Sequence, residues 1–162
     1  MKKNFGEISL RPVLPDDREM IFEWRNTPFL VKLGSSGKTV TREEHYRWFE
    51  NILLNNKITV LFIINVGCIP VGQVRFDFIE ENIYRVSIYL IEEYTGRRIG
   101  PVALQKGVEL MRRDDADKKF IAFIKRDNKA SRAIFLKTGF KEVKNFFDVP
   151  EKHIAMINTP AR

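Results

Sequence analysis

The sequence predicts an α+β domain, a mixed sheet carrying helices on both faces. Three observations lead there. Short apolar strands and amphipathic helical stretches follow one another in the order β-α-α-β-β-β-α-β-α-β-β. The 162 residues hold no internal repeat, low-complexity tract or Pro/Gly/Ser-rich linker, so a single domain over residues 1–162 is expected. A glycine-bearing basic loop also joins a strand to a helix near the middle of the chain.

The elements follow from local chemistry. Residues 8–13 read as a strand stopped by Pro15. Asp16 and Asp17 resemble an N-cap, and residues 18–25 place Met20, Ile21 and Trp24 at helical spacing until Pro28 closes the helix. Residues 33–38, with Gly34, Ser35, Ser36 and Gly37, read as a loop. Thr41 followed three residues later by Glu44 is a capping box, opening a helix to about Leu54 with Tyr46, Phe49, Ile52 and Leu53 as its apolar face.

Residues 58–64 form a nearly continuous apolar run rich in β-branched side chains, the mark of a buried strand. After a turn at 66–70, residues 71–78 and 83–91 form two strands joined through Glu80, Glu81 and Asn82. A loop over 92–99 leads into a helix from Gly100 to about Arg113, and 120–124 is a short buried strand. A helix from Asn128 or Lys129 to Thr138 ends at Gly139, and 140–147 and 154–158 finish as strands.

Composition narrows the function. At 44 % hydrophobic and 30 % charged, the chain has the balance of a soluble globular protein, and its 13 Phe predict an aromatic-rich core. No stretch approaches the roughly 18 apolar residues of a membrane helix, and no membrane partner is expected. The start lacks the apolar run of a secretory signal. A single Cys68 permits no internal disulfide, and no metal-ligand spacing occurs, so a cytoplasmic protein without a metal is expected. The net charge of +7 favours anionic partners. Because the basic residues are spread along the chain, a phosphate-rich small molecule is favoured over nucleic acid.

The most informative segment runs from Tyr94 to Leu104. Free amides at a helix start, with the positive end of its dipole behind them, suit a phosphate. Gly96 and Gly100 permit close backbone approach, Pro101 suits the first turn, and Arg97 and Arg98 add charge-assisted donors. On this segment alone, an ordinary exposed turn with two solvated arginines is an equal reading. It is neither a Walker loop nor a dinucleotide fingerprint.

The segment Asp127-Asn128-Lys129-Ala130-Ser131-Arg132-Ala133-Ile134-Phe135-Leu136-Lys137-Thr138-Gly139-Phe140 decides between them. It resembles the N-x-x-S/A-x-x-x-Y-x-K-x-G-F signature of the GNAT superfamily of acetyl-CoA-dependent N-acetyltransferases, with the basic glycine loop in its proper place upstream. The resemblance spans residues 8 to about 156. Glu23-Trp24-Arg25-Asn26, Thr41 to Phe49, Val71 to Asp77 and Val86-Ser87-Ile88 also resemble the branch that acetylates amino-sugar nucleotides bound for nonulosonic acids.

The resemblance implies a twisted mixed sheet of about seven strands, splayed between the fourth and fifth, where the pantetheine arm of acetyl-CoA enters. It implies cofactor contacts from Leu90 and Ile91, whose amides polarise the thioester, from Arg97, Arg98, Ile99 and Gly100 to the pyrophosphate, and from Asn128 and Ser131 to the arm. The expected acceptor is a small amine, nucleotide-linked, and the protein a monomer or homodimer.

Two departures stand out. The family loop Q/R-x-x-G-x-G/A falls best on Thr95, Arg98 and Gly100, where Thr95 lacks the usual side chain and Arg98 replaces glycine, or alternatively on Arg97, Gly100 and Val102; and Phe135 stands where many members have the tyrosine acid that protonates the leaving thiolate. A phenyl ring has no proton to give, so the thiolate takes one from water or Ser131, or leaves as the anion. Direct attack without an acyl-enzyme is expected, and Cys68 is not a nucleophile. His45 and Asp77 are the candidate bases, with a solvated surface histidine and an exposed Arg75–Asp77 pair as their plain alternatives. Arg25, Asn26, His45, Trp48 and Arg75 are the candidate acceptor contacts, Arg25 suited to clamping a diphosphate. His153 is expected on the surface. Acetylation of a protein N-terminus, or a non-catalytic CoA- or nucleic-acid-binding module, are the competing functions.

Overall fold

A computed structural model describes residues 6–161. The N-terminal strand β1 (Ile8–Pro12) leads through a single 3₁₀ turn into α1 (Arg18–Arg25). Asp17 does not cap α1 with its side chain. Its carboxylate instead takes two 2.8 Å hydrogen bonds from Arg11 and one of 2.7 Å from the Leu14 amide. That fixes the corner where β1 hands over to the helices.

Pro28, expected only to end a helix, opens another. It stands at the first position of α2 (Pro28–Leu33), where a missing N–H costs nothing, and Thr27 Oγ caps the turn by accepting from the Leu30 amide at 3.4 Å. The capping box forms as expected. Thr41 Oγ accepts from the Glu44 amide at 3.2 Å, and Glu44 accepts from the Thr41 amide at 2.8 Å, opening α3 (Arg42–Leu54).

Three antiparallel strands follow: β2 (Thr59–Val66), β3 (Ile69–Glu80) and β4 (Ile83–Leu90). Helix α4 (Ile99–Met111) crosses to β5 (Lys119–Lys125), and α5 (Lys129–Lys137) leads to β6 (Lys141–Val143) and β7 (His153–Asn158). The strand expected over 140–147 is only three residues long, because after Val143 the chain breaks into turns.

The seven strands lie in the order β1-β2-β3-β4-β5-β7-β6, and only the β4–β5 pair is parallel. That pair is brief. It runs from Ile83↔Lys119 to Arg85↔Ile121, three rungs, although β4 continues to Leu90 and β5 to Lys125. From Val86 onward the two strands part, and β5 keeps β7 as its neighbour as far as Lys125↔His153.

Pleat alternation assigns the two faces. Val74, Phe76, Val86, Phe120, Ala122 and Met156 pack under α4 and α5 in one aromatic-rich core. Gly107 allows α4 to lie close on the sheet, since a methyl there would meet the Phe76 ring at 3.1 Å. The opposite face carries Leu61 and Ile63 under α1 and α3, packed with Ile21, Phe49 and Ile52. On β3 and β4 that face carries Gln73, Arg75, Asp77, Arg85, Ser87 and Tyr89.

Candidate active site

The parting of β4 from β5 exposes one edge of β4. The Ile91 amide donates to the Val71 carbonyl at 2.9 Å. In an antiparallel ladder such engagement alternates, so odd-numbered residues of β4 turn their amides to β3 and even-numbered ones turn theirs to the opening. This corrects the pairing of Leu90 with Ile91 as thioester donors: Ile91 is committed within the sheet, and Leu90 faces the gap.

Past β4, a 3₁₀ turn at Glu92–Tyr94 leads to the basic loop. Gly96 has φ 71°, a left-handed conformation that glycine adopts without strain. Arg98 has φ 63° and sits at the N-cap of α4 with no side-chain capping bond. In the register that sets Arg98 against the expected loop glycine, the backbone is glycine-like while the side chain is an arginine. The first amides of α4 are thus left for a ligand. Arg97 lies with its guanidinium 5.1 Å from the centre of the Tyr94 ring.

Gly100 serves a different purpose from the one its position implied. It is buried, and a Cβ there would meet Ile134 Cδ1 at 2.7 Å, so it allows α4 and α5 to approach. Ile99 is equally buried and offers a ligand only its backbone. Asn128 caps α5 by accepting from the Ser131 amide at 3.0 Å, a bond that occupies only its side-chain oxygen. Ser131 is half-buried beside it. Phe135, 2 % exposed, packs edge-on against Phe140 with centroids 4.9 Å apart.

On the other face, β3 and β4 bring Gln73 opposite Tyr89, Arg75 opposite Ser87 and Asp77 opposite Arg85. Asp77 accepts from Thr59 Oγ at 3.0 Å, from Arg75 Nε at 3.0 Å and from Arg85 at 3.4 Å. A carboxylate whose oxygens are already taken by three donors argues against the expected general base.

His45 is the larger correction. It is 0 % exposed, not a solvated first-turn residue. Nε2 lies 2.7 Å from the Arg18 carbonyl and Nδ1 lies 3.3 Å from the Arg25 guanidinium. These partners assign the neutral tautomer with hydrogen on Nε2, donating to the carbonyl while Nδ1 accepts from Arg25. Both nitrogens are occupied, so His45 is neither a base nor a substrate ligand; it orients Arg25. Burial, with the nearby Arg25 and Arg18 charges, pushes its pKa below the ordinary value, against the opposing hydrogen bond to the Arg18 carbonyl.

Arg25 lies with its guanidinium 4.4 Å from the centre of the Trp48 ring, and Arg75 stands 5.8 Å from the same ring. Burial and Arg75 disfavour the Arg25 charge, and among the described residues no carboxylate pairs with it. Trp48 is half-buried and exposes one aromatic surface to these cations.

Tyr89, which the sequence reading did not single out, joins the cluster. Its hydroxyl donates to Gln73 Oε1 at 3.1 Å, its ring meets Trp24 edge-on at 6.3 Å, and desolvation raises its pKa, keeping the phenol neutral. Asn26 turns away from this cluster. It accepts from the Val40 amide at 2.8 Å and donates to the Val40 carbonyl at 3.0 Å, anchoring the loop before α3. Ser131 lies with α5 across the sheet from His45 and Asp77, so the three expected catalytic residues do not converge. His153, expected on the surface, is 9 % exposed with Nδ1 2.9 Å from the Glu151 carbonyl.

The architecture matches known proteins. The acetyltransferase (GNAT) domain family matches residues 7–141. The chain belongs to this family. An uncharacterized protein of Methanocaldococcus jannaschii, MJ1062, is 29 % identical over 154 residues, covering 88 % of this chain and 30 % of that protein. This GNAT chain therefore spans under a third of that relative's length.

Among solved structures, the aminoglycoside acetyltransferase AAC(6′)-Ib in complex with coenzyme A gives a TM-score of 0.81 at 17 % identity, covering 94 % of this chain and 95 % of that one. The microcin C7 self-immunity acetyltransferase MccE in complex with acetyl-CoA and AMP gives 0.77 at 17 % identity, covering 94 % and 92 %. The GNAT co-substrate is acetyl-CoA. The residues here fit it: β4 has an open edge at Leu90, and the amides at the start of α4 have no side-chain cap.

Proposed function

We propose that this GNAT chain transfers an acetyl group from acetyl-CoA, by direct attack, to the primary amine of an amino sugar linked to a nucleotide. The observation carrying this reading is Arg25. A half-buried guanidinium 4.4 Å from the centre of the Trp48 ring, beside a second arginine and with no ion pair among the described residues, is a positive charge that only the more distant Glu44 offsets in part. A diphosphate compensates it, and Trp48 offers a flat apolar face to the sugar or base. The AMP bound to MccE supports a nucleotide on a fold of this kind.

The parts divide as follows. The amides leading into α4, with Arg97 and Arg98, hold the cofactor pyrophosphate. Leu90 N–H donates to the thioester oxygen as it gains charge. Asn128 and Ser131 line the arm. Arg25, Trp48 and Arg75 hold the anionic part of the acceptor, and His45 and Asp77 keep the two arginines aimed. With both of these residues occupied, the amine is taken up neutral and its proton leaves to water. Phe135 supplies no acid, so the thiolate departs as the anion or takes a proton from water.

The test is thiol release from acetyl-CoA with a panel of amines: UDP-linked 4-amino sugars, an aminoglycoside, spermidine and a peptide with a free N-terminus. Turnover of a sugar nucleotide, with its KM raised at least about tenfold by Arg25→Met and the acetyl-CoA KM unchanged, is the expected result. Preference for the peptide makes the chain a protein N-terminal acetyltransferase. Absence of turnover with every amine, despite acetyl-CoA binding, makes it a CoA-binding module.

A further inference from the structure

We infer that Lys125 is a positioning residue for the acceptor: it ties the loop after α2 to the far wall of the slot, roofing the gap between β4 and β5. The inference rests on the acetyltransferase reading above and concerns residues outside the cluster that binds the acceptor's anion.

The geometry begins at the parting of the strands. On the acceptor face, β4 presents Ser87 and Tyr89, and β5 presents Phe123 and Lys125, because odd-numbered residues of both strands share that face. Nothing in the sheet joins the two strands beyond Arg85↔Ile121. The join is made above it. Trp24, near the end of α1, contacts Tyr89 of β4. Helix α2 then continues outward, and its last carbonyls reach β5: Lys125 Nζ donates to the Gly34 carbonyl at 2.6 Å and to the Lys32 carbonyl at 3.3 Å. One ammonium thus caps the C-terminal end of α2, where the helix dipole favours a cation, and does so across the opening.

The loop from Gly34 to Val40 hangs between two anchors. Lys125 holds its start, and Asn26 holds its end through both Val40 bonds. Between them Ser35, Ser36, Gly37, Lys38 and Thr39 are exposed, Gly37 has φ 63°, and a Cβ on it would meet nothing within 4 Å. Such a segment has little packing of its own to hold it. Its place over the acceptor side of the slot depends on the anchors. An amine approaching the thioester beside Leu90 passes under this strap, so holding it down narrows the approach. Lys125 also begins the turn into α5 that carries Asn128, so the wall it anchors to is the wall that lines the cofactor arm.

Two measurements on the full chain test this. Amide hydrogen exchange of residues 34–39, with no ligand present, is expected to quicken at least about tenfold in Lys125→Met and to stay near wild type in Lys125→Arg. With a UDP-linked 4-amino sugar as acceptor, Lys125→Met is expected to raise the acceptor KM at least about fivefold, leave the acetyl-CoA KM within about twofold, and be rescued by Lys125→Arg. Unchanged exchange in Lys125→Met overturns the latch. Quickened exchange with an unchanged acceptor KM overturns the roof. A wild-type enzyme inert toward that sugar nucleotide overturns the acceptor reading instead, and the exchange result then decides on its own whether Lys125 holds the strap.

Discussion

His45 and Arg25 form a hydrogen-bonded pair in which the imidazole is the neutral member, its Nδ1 3.3 Å from the guanidinium and its Nε2 2.7 Å from the Arg18 carbonyl. Protonation of Nδ1 removes the acceptor and sets two cations against each other. Because the folded-state pKa lies below the unfolded value of about 6.5, the unfolded chain takes the proton first. Stability from this group is therefore complete above pH 6.5, is lost as pH falls from there towards the depressed folded value, and changes no further below it. Melting curves between pH 8 and 4.5 should show this acid loss in the wild type and a smaller one in His45→Gln.

Asp77→Asn separates positioning from base catalysis. Loss of a general base costs on the order of 10²–10⁴ in rate. Asp77 instead holds Arg75, so the amide is expected to lower kcat by less than about tenfold and to act chiefly by raising the acceptor KM. The acid limb of the kcat/KM profile should not move. A fall of a thousandfold in kcat with that limb abolished would restore Asp77 as the base.

Arg98 combines a strained backbone with a useful charge. A left-handed non-glycine residue costs about 1–2 kcal/mol. Arg98→Gly is expected to raise the melting temperature by about 2–4 °C per kcal/mol relieved, and at the same time to weaken acetyl-CoA binding. Thermal denaturation and titration calorimetry with acetyl-CoA read the two effects separately.

Two glycines differ in what surrounds them. At Gly72 a Cβ would meet the Tyr89 carbonyl at 2.2 Å and Leu90 Cα at 2.9 Å, both backbone atoms beside the slot. At Gly100 the nearest atom is the tip of the Ile134 side chain. Gly72→Ala is expected to destabilise by about 3 kcal/mol or more, and Gly100→Ala by less than about 1.5 kcal/mol, with Ile134→Val restoring most of the latter. Chemical denaturation of the three variants checks the order.

The strand and helix order was legible because most elements carry a local signal: the Thr41–Glu44 box, the apolar run before Val66, the helix start at Asn128 or Lys129 and the Gly139 stop all appear where the sequence puts them. Pro28 misled because the same ring that ends one helix suits the first turn of the next. His45 was legible in principle, since it stands four and seven residues before Phe49 and Ile52, on the buried stripe of α3. Its polarity drew the reading to the surface.

Tyr89 and Gln73 needed a register. Pairing β3 and β4 as mirror images about Glu81 brings them together with Arg75 and Ser87, but a register shift between Phe78 and Glu80 sets that pairing, and counting out from the turn misses it by one residue. The contact of Lys125 with Gly34 had no such signal, because 91 residues separate the partners and only the tertiary fold brings them together.

The sheet itself acts as a partition. Under the proposed function acetyl-CoA approaches along the starts of α4 and α5 and the amine from the α1 and α3 face, with the two packed layers of the sheet between them. A protein with two such doorways has no need to release CoA before admitting the amine. Its initial-rate plots should therefore intersect, and a free acetylated protein never accumulates.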